Sequence, residues 1–254
     1  FLFFVISPIR AQNNKEATNI KSHQNLLRAK NSQQKINALL ELGEYHYSIS
    51  NQYIYLKSID SAFYYTKKSA SLSKAINYKK GIGESHLLNS KIYINTSASN
   101  NAIQSAKQAV ELFSELKDKN NIARSYMALV KARGTQEDIN VSVFLAKKAY
   151  TLYKQTEKKL EQANALVEIA YLKMGLGNME AAKTDLDHSL ALYQECNYKG
   201  TQRVYSLLGV AYLQMGAYKE SLENSLLAVK LIENNDDTSV LAAEIYNYVA
   251  ITYN

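Results

Sequence analysis

Tryptophan is absent from this 254-residue sequence, and proline and cysteine occur once each. The single proline is Pro8, so the rest of the chain lacks the residue that most strongly interrupts helices. Cys196 has no second cysteine with which to form an internal disulfide or a Cys-x-x-Cys metal motif. Long alternations of valine and isoleucine are also lacking, which disfavours strands. The sequence therefore predicts an all-α chain without a disulfide framework.

Sequence patterns typical of catalytic, metal or phosphate sites are missing as well. The chain contains four widely separated histidines, His23, His46, His86 and His188. None belongs to a His-Glu-x-x-His motif or a Cys/His cluster. Gly81 and Gly83 lack the remaining spacing of a phosphate-binding loop, and Asp185 and Asp187 lie two residues apart in a predicted helix, where side chains do not face each other. We expect no catalytic residue, no metal site and no cofactor.

Charge is spread evenly along the chain. Lysine and arginine number 30, aspartate and glutamate 23, and the formal net charge is +7. The basic residues form no block of five or six, and many of the 20 tyrosines fall at positions expected in helix cores. Nucleic-acid binding calls for a basic stripe with exposed aromatic stacking platforms. We therefore expect no nucleic-acid partner for this segment.

The first nine residues, FLFFVISPI, form an apolar run that is shorter than the roughly 20 residues needed to span a bilayer. Arg10, Ala11 and Gln12 follow, and then a polar stretch. This order predicts a signal-peptide remnant at residues 1–11, with cleavage after Ala11. It implies a periplasmic or extracytoplasmic location. The tail of a signal anchor and a simple apolar end remain alternatives, and residues 12–32 are interpreted as a polar capping segment.

An internal repeat covers most of the chain. Superposing Ala170–Gly175 on the similar Ala211–Gly216 requires a shift of 41 residues. Leucines follow at steps of 40 and then 39, at Leu72, Leu112, Leu152, Leu192 and Leu231. Small residues accompany them at Ser69, Ala109, Ala149 and Ser189. Such a period indicates stacked helix pairs, with these positions on the inward face of each second helix.

The periodicity predicts eleven helices joined by short turns. Second helices are expected near residues 58–76, 100–116, 140–155, 179–195 and 218–233. First helices are expected near 33–48, 81–95, 121–133, 161–175, 202–215 and 239–253. The segment from Ile49 to Ser58 is interpreted as a longer connection. Turn residues are expected at Asn100-Asn101, Gly134, Gly177-Asn178, Gly200, Gly216 and Asn234 to Asp237.

The last complete copy carries a recognisable pattern. Its members are Tyr205, Leu208, Gly209, Tyr212, Gly216, Ser221 and Ala228. Their spacing resembles that of the tetratricopeptide repeat, although the period is near 40 instead of about 34 and the usual proline is missing. The resemblance covers residues 33–254 and implies a right-handed α-solenoid. We expect this array to continue beyond Asn254.

The resemblance also implies a binding groove lined by first helices. The positions that correspond to its ligand-facing residues are Ser85, Asn89, Ser125, Arg133, Gln162, Lys173, Arg203, Ser206, Gln214 and Asn247. Among them, Arg133, Lys173 and Arg203 resemble a basic clamp for a peptide carboxylate or an acidic segment, because charge-assisted hydrogen bonds are about twice as strong as neutral ones. The alternative is that they are unrelated solvated side chains on exposed helix faces.

Two functions are compatible with these patterns. The repeats, with phrases such as DSAFYYTKKSASLSKAINYKKGIGES, resemble the N-terminal regions of bacterial sensor histidine kinases and helix-turn-helix regulators. This implies a non-catalytic protein- or peptide-binding sensory domain, which meets the membrane only through a leader or a downstream segment. The alternative is a stand-alone secreted scaffold. An enzyme is the weakest interpretation, because no nucleophile, base or metal cluster is present.

Overall fold

A computed structural model of the chain describes residues 21–53, 56–134, 138–234 and 240–253. Every regular element in these ranges is a helix. Residues 21–28 form α1. The other helices are α2 Ser32–Tyr53, α3 Leu56–Ala75, α4 Lys79–Asn95, α5 Ser99–Glu115, α6 Lys119–Arg133, α7 Ile139–Gln155, α8 Lys159–Gly175, α9 Met179–Glu195, α10 Gln202–Gln214, α11 Tyr218–Asn234 and α12 Val240–Tyr253. The predicted all-α class is confirmed.

The predicted helices are found within a few residues of their expected bounds, with two corrections. Helix α2 continues to Tyr53 and α3 begins at Leu56, so most of the expected long connection between Ile49 and Ser58 is helical. Asn100 and Asn101 do not form a turn either, because α5 has already begun at Ser99. The predicted leader at residues 1–11 lies outside the described residues.

Most connections are tight turns built around one residue in the left-handed region. Asn77, Ser97, Lys117, Glu157 and Asn197 have φ between 53° and 57°. At the first of these, the Asn77 N–H donates to the Lys74 carbonyl (3.2 Å) and the Tyr78 N–H donates to the Ser73 carbonyl (2.8 Å). This pair of bonds is a Schellman motif, which satisfies the last carbonyls of a helix. One left-handed residue thus follows each of the helices α3, α4, α5, α7 and α9 and ends it without proline.

Contacts between Cα atoms divide the chain into two compact units, Phe1–Asn121 and Ile122–Asn254. In the first unit, α2 packs on α3 and α4 packs on α5. Leu88, Ile92 and Ala62 form a buried cluster between α4 and α3. Gly83 of α4 lies so close to the buried ring of Phe113 that a Cβ there would approach a ring carbon to 2.7 Å. Small residues therefore set the close approach of paired helices.

In the second unit, α8 packs on α9, α10 packs on α11, and α7 and α12 contact α8 and α10 respectively. Leu166, Leu186, Leu192 and Leu208 belong to its largest buried cluster. The predicted small residues of the second helices are completely buried throughout the chain, at Ser69, Ala109, Ala149 and Ser189. The predicted leucine ladder needs correction, since Leu192 is buried whereas Leu72, Leu112, Leu152 and Leu231 are half-buried. The small residues lie where a second helix comes closest to the helices packed against it, and the leucines lie beside that contact.

The structure also corrects the repeat register. Gly177 and Gly216 end the turn-forming segments after α8 and α10 with the same φ of 77°, and they are 39 residues apart. Ser189 and Ala228, both completely buried, are also 39 residues apart. The shift of 41 inferred from Ala170–Gly175 and Ala211–Gly216 is therefore too large by two residues. Two residues turn a helical side chain by about 200°, to the opposite face.

Among the described helices, none combines the length and the apolar character required to cross a membrane.

Candidate functional site

A cavity of about 340 Å³ opens among helices α6 to α10 in the second unit, and we call it cavity I. Its residues come from the first helices α6, α8 and α10, from the ends of α7 and α9, and from the turn before α10. They are Met127, Lys131, Tyr153, Glu161, Asn164, Ala165, Val167, Glu168, Tyr193, Tyr198, Gly200, Arg203 and Val204. The set is rich in tyrosine and ionisable side chains.

Four charged residues line cavity I, and their formal charges cancel: Lys131, Arg203, Glu161 and Glu168. The Glu168 side chain is only 11% exposed, and its Oε2 atom lies 3.5 Å from an Arg203 guanidinium nitrogen. The same guanidinium lies 5.9 Å from the centre of the Tyr171 ring. Arg203 is therefore positioned by a carboxylate on one side and an aromatic ring on the other.

Three tyrosines form much of the remaining wall. The Tyr193 hydroxyl donates a 2.6 Å hydrogen bond to Asn164 Oδ1, and the Tyr193 and Tyr198 ring centres are 4.8 Å apart. Burial raises the pKa of Tyr153 to about 12, with Arg124 lowering it and Glu161 raising it by smaller amounts. Burial also raises the pKa of Tyr193. Both phenols are therefore neutral at physiological pH.

A second cavity, cavity II, of about 220 Å³ follows farther along α8 and α10. Tyr171, Leu172, Met174 and Gly175 of α8 form one wall, and Leu207, Val210 and Gln214 of α10 form another. Ile139 of α7 and Tyr248 of α12 complete the lining. The surface is mainly apolar, in contrast to cavity I.

Two of the predicted groove residues line these cavities, Arg203 in cavity I and Gln214 in cavity II. Three predicted serines, Ser85, Ser125 and Ser206, are at most 2% exposed, which corrects their expected ligand-facing position. Ser85 shows what such a serine does instead. Its hydroxyl donates to the Gly81 carbonyl at 2.8 Å and lies 3.2 Å from Ser69 Oγ, between two packed helices.

The predicted basic clamp is also corrected. Lys173 forms a 2.5 Å ion pair with Asp185 of α9 and does not line cavity I or cavity II. Arg133 is the half-buried last residue of α6 and lines neither cavity. Of the three cations, only Arg203 lines cavity I or cavity II, so neither of these cavities brings the three together.

The remaining predicted residues lie elsewhere. Gln162 is buried beside cavity I, and its amide nitrogen donates to the Tyr153 carbonyl at 3.3 Å. Asn89 is half-buried on α4 in the first unit. Asn247 is exposed on α12 in the second unit. Neither lines cavity I or cavity II.

The two-residue register error explains two of the residues that the sequence prediction missed. Arg203 lines cavity I, and the residue 39 positions before it is Asn164, which also lines cavity I, whereas a shift of 41 leads to the buried Gln162. Likewise, the residue 39 positions before Gln214 is Gly175, which lines cavity II, whereas a shift of 41 leads to Lys173. A period measured from the turn-forming Gly177 and Gly216 would have pointed to the correct helix face. The tyrosines at the ends of α7 and α9 had no comparable signal.

Metal chemistry finds no support in the described ranges, where no group of three or more His, Cys, Asp or Glu side chains is arranged to hold an ion. Cys196 is exposed just after α9.

These observations define a helical-repeat protein in which the first helices α6, α8 and α10 contribute to cavity I, and α8 and α10 to cavity II. The sequence profile of the tetratricopeptide repeat matches residues 163–196 and 202–235, which are offset by 39 residues, the period found in the structure. The chain therefore contains tetratricopeptide repeats at residues 163–196 and 202–235, which supply part of the lining of cavities I and II. No curated protein sequence is significantly similar to the chain.

Three solved structures share the fold of this chain at low sequence identity. BtubC of P. vanneervenii has 9% identity and a TM-score of 0.69, over 88% of this chain and 90% of that chain. A signal-transduction ATPase with numerous domains and a tetratricopeptide repeat sensor, from Pyrococcus horikoshii, has 15% identity and a TM-score of 0.66, over 98% of this chain but 38% of that one. A thermophilic tetratricopeptide-repeat protein of Thermus thermophilus has 18% identity and a TM-score of 0.56, over 83% of this chain and 98% of that chain. At these identities, the likeness establishes the fold alone.

Proposed function

We propose that the chain is a non-catalytic domain that binds a protein or peptide segment in the groove formed by cavities I and II. The observation that carries this proposal is that both cavities lie between α8 and α10, one polar and one apolar. The contact between Arg203 and Tyr171 joins them, because Arg203 lines the first and Tyr171 the second. A polar recess next to an apolar one suits a chain that carries side chains of both kinds.

The construction of a repeat array supports the same proposal. Each helix pair contacts its neighbours, so first helices present side chains side by side along an extended surface. Short segments are bound in such grooves by a few side-chain anchors and by hydrogen bonds to their backbone. Asn164, Gln214 and the neutral tyrosine hydroxyls supply polar groups on this surface.

A random peptide library displayed on phage tests the proposal. The wild-type chain should enrich related sequences, and the variant Asn164→Trp should lose them, because the larger side chain obstructs the rim of cavity I. The matched control is Thr184→Trp, which places the same side chain at an exposed position of α9 that does not line cavity I or II. Equal binding by both variants, or no enrichment by the wild type, would contradict the proposed groove.

The proposed setting is the extracytoplasmic sensory part of a longer bacterial signalling protein. The leader-like residues 1–11 and the resemblance to sensor kinases support it, as does the structural similarity to an ATPase with a tetratricopeptide repeat sensor. Ligand binding would be transmitted through the interfaces between neighbouring helix pairs.

Sequencing the gene beyond the codon for Asn254 tests this setting. A segment of about 20 apolar residues followed by a kinase or DNA-binding pattern would support the sensor. A stop codon after one further capping helix would instead support a stand-alone scaffold. Fusing residues 1–11, with the upstream codons, to a periplasmic reporter enzyme would show separately whether they direct export.

A further inference from the structure

We infer that the segment bound in this groove places a lysine or arginine side chain in cavity I and an apolar side chain, three or four residues away, in cavity II. The inference rests on the proposed function and adds the chemistry of the ligand. It replaces the acidic partner expected from the sequence.

The first argument is that the Glu168 carboxylate has few hydrogen-bond donors around it. Within the described part of the chain, its one hydrogen-bond partner is Arg203, at 3.5 Å. That distance exceeds the 2.7–2.9 Å typical of a charge-assisted hydrogen bond. A carboxylate has about four acceptor positions, and a buried charge is costly unless it is paired and hydrogen-bonded. Cavity I therefore holds a buried carboxylate with capacity to accept further donors.

The second argument is the wall around that carboxylate. Tyr153, Tyr193 and Tyr198 line the cavity, and Glu161 adds a second, half-buried carboxylate. The face of an aromatic ring attracts a cation, and this attraction strengthens when the cation is removed from water. An ammonium or guanidinium group in cavity I would thus lie among tyrosine rings and carboxylates. An acidic side chain would instead be repelled by both glutamates.

The two cations of the lining do not reverse this preference. Arg203 is already directed at Glu168 and at the Tyr171 ring. Lys131 is exposed at the side of the cavity formed by α6, where water screens its charge. An entering guanidinium or ammonium group can pair with Glu168, while Arg203 remains against Tyr171.

The third argument is the separation of the two cavities. Cavity I is lined by residues 161–168 of α8 and 203–204 of α10, whereas cavity II is lined by residues 171–175 and 207–214 of the same helices. The midpoints of these stretches are about seven to nine residues apart, which is roughly 10–13 Å at 1.5 Å per helical residue. An extended peptide rises about 3.3 Å per residue. Two anchors therefore fit three or four residues apart.

Blocked synthetic peptides test the inference by isothermal titration calorimetry with the full chain. The peptides are acetyl-X-Ala-Ala-Leu-amide and acetyl-X-Ala-Ala-Ala-Leu-amide, with X as Arg, Lys, Gln or Glu. At least one Arg or Lys peptide should bind at least about tenfold more tightly than its Glu counterpart. Replacing its leucine with alanine should also weaken binding.

Two variants of the protein connect this preference to cavity I. Glu168→Gln removes the negative charge and keeps the shape of the buried side chain. Glu161→Gln removes the charge of a half-buried side chain, on which folding depends less. Each should bring the affinity of the Arg peptide down toward that of the Gln peptide. Glu180→Gln, at an exposed position in the first turn of α9, is the matched control and should leave the affinity unchanged.

The outcomes separate this inference from the proposed function. Tighter binding of the Glu peptides, or equal binding of all four, would overturn the cationic anchor while leaving a peptide-binding groove in place. Binding that is insensitive to the leucine would overturn the second anchor. If none of these peptides binds at millimolar concentration, the inference is wrong, and the library selection with Asn164→Trp decides separately whether the groove binds peptides.

Discussion

At the scale of single residues, the helix-ending turns show where the chain carries strain. In the part of the chain that the structure describes, five residues other than glycine adopt positive φ, among them Lys117 and Glu157. Side chains with a Cβ are disfavoured in this region by roughly 1–2 kcal/mol. The equivalent position after α8 is Gly177, which avoids this cost. Polar, exposed residues thus hold positions that glycine would fit better.

Replacing Lys117 or Glu157 with glycine should therefore stabilise the protein. We expect a gain of about 0.5–1 kcal/mol, because relief of the left-handed strain exceeds the extra entropy of glycine in the unfolded chain. Urea unfolding followed by circular dichroism measures the difference. Lys147→Gly, at an exposed position inside α7, is the control and should lose about 1 kcal/mol. Loss of stability in Lys117→Gly and Glu157→Gly alike would contradict the assigned turns.

Two histidines make stability depend on pH. Burial lowers the pKa of His46, with His23 lowering it further, and burial lowers the pKa of His86, with Lys74 lowering it further. In the unfolded chain, histidine titrates near pH 6.5, so between that value and the lower folded pKa the unfolded state binds more protons. Their contribution to stability is thus full above pH 6.5 and falls as the pH drops through the folded pKa.

The double variant His46→Gln/His86→Gln tests this dependence. Urea midpoints of the wild type should be lower at pH 5.5 than at pH 7.5, and the variant should show a smaller difference between the two values. Its absolute stability is not the readout, since the substitutions also change packing. An unchanged difference would show that other groups cause the pH dependence.

At the scale of helices, periodicity predicted the elements but not which face lines the groove. The existence and approximate bounds of the helices followed from regularly spaced apolar and small residues such as Ala109 and Ala149. Register was harder, because similar letters from Ala170 to Gly175 and from Ala211 to Gly216 occur two residues out of structural phase. Left-handed φ at Gly177 and Gly216 fixes the true offset. In five of the other turns this position is occupied by Asn, Ser, Lys or Glu, so the sequence shows no repeated residue that would mark the left-handed conformation.

The leucines of the second helices differ in burial, and this difference predicts different costs of truncation. Leu192 is 8% exposed and packs in the largest cluster of the second unit, whereas Leu152 is half-buried. Leu192→Ala should lose about 2–5 kcal/mol, the range for buried leucines, and Leu152→Ala should lose less. Chemical unfolding of both variants measures the order. A larger loss of stability for Leu152→Ala than for Leu192→Ala would contradict the difference in burial between the two leucines.

At the scale of the whole molecule, the net charge of +7 does not describe the groove. Cavity I balances two cations against two carboxylates. Lys173 is neutralised by Asp185 on the next helix, and Lys91 lies 2.6 Å from Glu44, a residue 47 positions earlier. Pairs between helices depend on tertiary packing, which a count of basic residues does not contain. This is why a basic clamp could be expected from sequence and yet not be assembled in the fold.

The central claim is that the groove between α8 and α10 binds a peptide segment, and hydrogen–deuterium exchange with a library-selected peptide tests it most directly. The account predicts that saturating peptide slows exchange in the segments that carry Asn164, Glu168, Arg203 and Val210, with little change in the exposed face of α9 around Thr184. Protection confined to the outer faces of α9 and α11, with unchanged exchange along α8 and α10, would contradict it.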